Sequence, residues 1–86
     1  MYKILYAPPC HTDAKKLANS YLKEKCQALL KTIADSPFQD PPPYEKLCGD
    51  LAGCFSRRIN IQHRLVYEVD EHAKLIKVLR MWTHYE

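Results

Sequence analysis

Glu45, Arg64 and His84 are residue types that phosphodiester cleavage needs at minimum: a carboxylate to take a proton, a guanidinium to hold an anion and an imidazole to return a proton. They come from three separate parts of the chain, so spacing alone does not bring them together. All four arginines, Arg57, Arg58, Arg64 and Arg80, lie in the second half, and no acidic residue falls between Leu51 and Tyr67. The planar fork of arginine suits a phosphate better than the point charge of lysine does. Each group also has a plainer reading. Glu45 beside Lys46 can be solvated, the arginines can face water, and His84 with Trp82 and Tyr85 can close an aromatic lid over the core.

The elements that must position these residues follow from pattern. Tyr2–Tyr6 reads as a short strand stopped by Pro8 and Pro9. Thr12 or Asp13 can cap a helical region that runs to Asp35 without Gly or Pro, and Asn19-Ser20 is the place where one helix could become two. Apolar residues recur there at helical spacing, at Leu17, Ala18 and Tyr21 and again at Leu22, Cys26, Leu29 and Ile33. Residues 36–43 hold four of the six prolines and form a stiff connector that delivers Tyr44-Glu45-Lys46 to a fixed place. Then come three runs with strand character: Cys54–Asn60, Arg64–Asp70 and Leu75–Trp82. Short connections between them predict an antiparallel three-strand meander. The fold class is α+β, helices on one face of a small sheet. Pairing of the first two meander strands would gather Arg57, Arg58 and Arg64 on one part of that sheet.

Eighty-six residues make one domain spanning 1–86, with a thin core that buries about 60–65% of the unfolded surface. A nucleotide-binding domain plus a substrate domain, a TIM barrel and a helical-repeat array are all excluded by size. The chain is 47% hydrophobic and 27% charged, a globular composition, and its formal charge of +3 permits an anionic partner. No apolar run approaches the roughly 18 residues of a membrane helix, and the opening apolar stretch is too short for a signal peptide, so a cytoplasmic protein is expected. Cys10, Cys26, Cys48 and Cys54 lack Cys-x-x-Cys spacing, which predicts reduced thiols rather than a zinc site or disulfides.

Glu45-x-Leu47-x₃-Leu51-x-Gly53-x₂-Ser56-Arg57-Arg58-Ile59-x₃-His63-Arg64-Leu65-Val66-Tyr67, closed by His84-Tyr85, resembles the YoeB/Txe toxins of the RelE-like superfamily. Ser36-Pro37-Phe38 and the helical region match in outline, so the resemblance spans nearly the whole chain. It implies a RelE-like fold: an N-terminal strand, two helices and a mainly antiparallel sheet completed by the meander. It also implies a toxin of a type II toxin–antitoxin system that cuts mRNA in the ribosomal A site by attack of a ribose 2′-hydroxyl, without metal or cofactor. Glu45 would be the general base and Arg64 the stabiliser of the transition-state charge. His84 would be the acid, and Tyr85 would shape the site. Lys46, Arg57, Arg58 and Arg80 would contact RNA. Implied partners are a YefM-like antitoxin with an acidic C-terminal segment, the bacterial ribosome with its mRNA, and a second toxin copy. Phe55 stands where family members commonly carry Trp, and Cys48 where they often carry Lys. Two other readings compete: a non-catalytic module binding RNA or antitoxin on the same fold, and a ribonuclease that cuts naked RNA.

Overall fold

The computed structural model describes residues 1–40, 43–47, 53–61 and 63–83. Its elements run in the order β1 (Lys3–Tyr6), α1 (Pro9–Ala18), α2 (Lys23–Asp35), β2 (Glu45–Lys46), β3 (Cys54–Arg58), β4 (Arg64–Asp70) and β5 (Leu75–Thr83). One sheet holds all five strands in the order β1-β5-β4-β3-β2. Among the described strands only β1 and β5 pair in parallel, with Ile4 opposite Ile76; the other neighbours are antiparallel. This is the α+β, RelE-like arrangement that the sequence resemblance implies, with the N-terminal strand and helices added to a C-terminal meander.

The start of α1 differs from the expected cap. Pro9 occupies the first turn, where its missing N–H costs nothing, and the helix is therefore under way before Thr12 or Asp13. Asp13 is turned inward at 1% exposure. It accepts Arg80 Nε at 2.8 Å, Arg80 Nη2 at 3.2 Å and the Met81 N–H at 3.1 Å, joining α1 to β5. The carboxylate therefore works across the fold and not on its own helix end.

Two helices form because Asn19 and Ser20 offer the backbone other bonds. Asn19 Nδ2 donates to the Lys15 carbonyl at 3.2 Å, and Ser20 Oγ accepts the Leu22 N–H at 3.0 Å. α2 then restarts at Lys23 and ends where Ser36, extended ahead of Pro37, leaves the helical region. The inward stripe Cys10, Leu17, Leu22, Cys26, Leu29 and Ile33 packs on Ile59, Leu65, Tyr67, Ile76, Val78 and Met81. Each such side chain, fully buried, contributes about 1.5–3 kcal/mol.

Short polar turns close the meander. Asn60 Oδ1 accepts the His63 N–H at 2.7 Å, while Asp70 Oδ1 accepts the N–H groups of His72 and Ala73. Cys10, Cys26 and Cys54 are buried free thiols; Cys48 lies outside the described residues. Burial, followed by the nearness of Cys10, pushes the Cys26 thiol up to about 11.

Candidate active site

Strand register sorts the polar residues onto two faces. Tyr67 and Leu65 belong to the helix-covered core, and β3 sets Phe55 and Arg57 opposite them. The intervening residues therefore point the other way. Ser56 stands opposite Val66, Arg58 opposite Arg64, and the two-residue β2 adds Glu45 opposite Ser56. Glu45, Ser56, Arg58 and Arg64, with Pro43 and Tyr44, line a cleft of about 250 Å³ on the face away from the helices.

Glu45 and Arg64 meet inside this cleft. Arg64 Nη1 donates to Glu45 Oε2 at 3.2 Å. The carboxylate side chain is 65% exposed and the guanidinium 19%, so the base candidate is open to a ligand while the cation is held by its surroundings. Arg58 and Arg64 are like charges on facing strands, an arrangement that is unfavourable until an anion lies between them. With Glu45 counted, these three ionic side chains carry +2 − 1 = +1. An anionic strand entering here meets two arginine forks and one proton acceptor.

Ser56 adds a feature the sequence reading missed. Its hydroxyl is buried at the cleft wall and has no hydrogen-bond partner among the described residues. Its place opposite Glu45 follows from a strand of two residues, too short to leave a periodic signal.

The remaining expected site residues fall elsewhere. Arg57, expected to contact RNA, is 1% exposed and works inside the protein. Its Nε donates to the Tyr67 hydroxyl at 3.0 Å, and its Nη2 donates to the carbonyls of Pro37 at 3.0 Å and Gln39 at 2.8 Å. Its guanidinium carbon lies 5.0 Å from the centre of the Tyr44 ring, a cation–π contact. A side chain enclosed in this way is not presented to a ligand in the cleft. Arg80 is engaged by Asp13 and does not line the cleft, although its side chain remains 39% exposed. Lys46 is exposed, but it opposes Phe55 in register and so lies on the face opposite Glu45. β5 brings Thr83 into register with Arg64; His84 and Tyr85, the expected acid and its neighbour, lie outside the described residues. Among the described residues no three His, Cys, Asp or Glu side chains form a metal-binding group.

An N-terminal strand and two helices packed on a mainly antiparallel sheet form the architecture of a RelE-like toxin. Residues 12–85 match the family described as YoeB-like toxin of bacterial type II toxin-antitoxin system, and the chain belongs to that family. The Toxin YoeB of Synechocystis sp. is 40% identical over 65 residues, which cover 76% of this chain and 73% of that one. Among solved structures, the YoeB/ParE toxin from Agrobacterium tumefaciens superposes with a TM-score of 0.87 at 29% identity, covering 96% of this chain and 99% of its own. YoeB in the YoeB-YefM complex from Staphylococcus aureus superposes with a TM-score of 0.82 at 34% identity, covering 99% of both chains. The chain is thus the toxin of a type II toxin–antitoxin pair, an endoribonuclease that acts on mRNA at the ribosome.

Proposed function

We propose that the Glu45–Arg64 cleft is where the mRNA phosphodiester is cut, with the ribosome presenting the strand. The contact between Glu45 Oε2 and Arg64 Nη1, 3.2 Å long and facing open space, is the observation that carries this reading. Glu45 takes the proton of a ribose 2′-hydroxyl. That oxygen bonds to the adjacent phosphorus as the P–O5′ bond breaks, leaving a cyclic phosphate on one fragment and a 5′-hydroxyl on the other. Arg64 donates to the phosphate oxygens as they gain charge, and Arg58 adds a second fork across the same face. His84 protonates the departing O5′, and Tyr85 shapes that side of the site. Thr83, the register partner of Arg64, immediately precedes His84 in the chain, which supports the assignment.

The small cleft supports ribosome dependence in physical terms. So little surface holds a nucleotide or two, and the ribosome supplies the rest of the positioning. The proposed antitoxin is of the YefM type, its acidic segment attracted by Arg58 and Arg64 when no RNA is bound. Action on ribosomes supports a cytoplasmic location. Mapping of mRNA 5′ ends in translation extracts tests the reading. Wild-type protein should create new 5′-hydroxyl ends only when ribosomes are present, and His84→Ala should create none. New ends on naked RNA at a similar rate would instead make it a free ribonuclease.

A further inference from the structure

We propose that Arg57 is a positioning residue for the cleavage reaction: from inside the protein it holds the proline-rich loop that fixes where the Glu45 carboxylate stands. The proposal rests on the reading of Glu45 as the base.

The segment that joins α2 to Glu45 is short of backbone donors. Pro37, Pro41, Pro42 and Pro43 have no N–H to donate, and β2 that follows it is two residues long. Arg57 supplies what the loop lacks. Its Nη2 donates to the carbonyls of both Pro37 and Gln39, and its Nε donates to the Tyr67 hydroxyl. That hydroxyl donates in turn to the Pro37 carbonyl at 3.0 Å, closing a three-membered network in the interior. Burial pushes the Tyr67 phenol up, which keeps it protonated as that donor, although the Arg57 hydrogen bond works in the opposite direction.

Arg57 also reaches toward Glu45 along two paths, one through a ring contact and one through the backbone of β3. It lies over the ring of Tyr44, the residue just before Glu45. Its own backbone neighbour, Ser56, is the register partner of Glu45. Arg57 therefore bears from both sides on the 3.2 Å contact of Glu45 with Arg64, beside the β2–β3 pairing and the packing of Phe38, Tyr44 and Phe55. An apolar residue could fill the volume. It could not aim two carbonyls, and a buried guanidinium is unfavourable to desolvate unless its directed bonds are used. General-base catalysis is sensitive to this, because a displacement of about 1 Å can cost about 10²-fold in rate.

A double-mutant cycle in single-turnover cleavage of ribosome-bound mRNA tests the proposal, with the melting transition recorded for each variant. Arg57→Lys keeps the charge and loses the fork. It should lower the rate constant about 10–100-fold while the half-saturating ribosome concentration stays unchanged. In a Glu45→Ala background, where no carboxylate remains to be misplaced, the same change should alter the residual rate less than about twofold. Tyr67→Phe removes one link of the network and should fall between wild type and Arg57→Lys; it carries the same cycle should Arg57→Lys fail to fold. Equal losses in both backgrounds would overturn the proposal, because Arg57 would then support the fold and not the base. A slow Glu45→Ala with folded Arg57→Lys at the wild-type rate would overturn the proposal alone. Glu45→Ala at the wild-type rate would remove the base assignment, and the positioning role with it.

Discussion

Arg57 and Arg58 are neighbours on β3, yet one is sealed against the core and the other faces the cleft. The same division runs through the sheet. On the helix side, buried polar groups are matched: Asp13 takes three hydrogen bonds from Arg80 and Met81, and Arg57 is held by Tyr67 and two carbonyls. On the cleft side, like charges oppose each other and the Ser56 hydroxyl has no partner among the described residues. One face uses arginine to hold the fold together, whereas the other keeps two facing arginines with a single exposed carboxylate between β2 and β4, an excess of positive charge that an anion would offset. Residue type does not distinguish the two roles; the direction of the side chain does.

That contrast predicts different failures on the two faces. Arg64→Ala should have the largest effect, lowering single-turnover cleavage about 10²–10³-fold with the melting temperature little changed. It should also weaken binding of an acidic antitoxin peptide, measured by calorimetry; intact cleavage would place the chemistry elsewhere. Asp13→Ala should do the reverse. It should lower stability by about 2–4 kcal/mol in urea unfolding, since Arg80 and the Met81 N–H lose their acceptor, while cleavage per folded molecule stays within about threefold. A stable Asp13→Ala would mean that the helix side is not held by this carboxylate.

A smaller effect is expected from Cys26. Its folded thiol is pushed up to about 11 from 9.0, so above pH 9 the unfolded chain loses this proton before the folded one does. Stability supplied by the neutral buried thiol is present below pH 9 and is lost as pH rises toward about 11. Melting temperatures across that range should fall less steeply for Cys26→Val than for wild type, and identical slopes would contradict the assignment. Ser56→Ala should change least, leaving the melting temperature equal or slightly raised, because no hydrogen bond is lost. A clear drop would show that the hydroxyl is satisfied after all.

How much of this was legible in the sequence depends on how local the cause is. The helical stripe and the meander follow from short-range periodicity and turn chemistry, and the described elements match them; periodicity left one helix or two open at Asn19-Ser20, and the two found are what the family resemblance implies. Alternation also separated Phe55, Arg57 and Ile59 from Ser56 and Arg58. It could not say which set would be enclosed, because enclosure of Arg57 depends on the loop from Pro37 folding back over it. Asp13 looked like a cap because a short acidic side chain ahead of an apolar stripe often is one. Its partner Arg80 stands 67 residues away, beyond any local pattern. The pairing of Glu45 with Arg64 was drawn from family resemblance alone; the register of β2 on β3 and of β3 on β4 is its physical cause.

The central claim is that the carboxylate on the open face removes the proton that starts cleavage. Its most direct test is the single-turnover rate of Glu45→Ala on ribosome-bound mRNA, with ribosome and antitoxin affinities measured on the same protein. A loss of about 10²–10⁴-fold with both affinities unchanged is the predicted result. Cleavage within about threefold of wild type, from protein that melts normally, would contradict it.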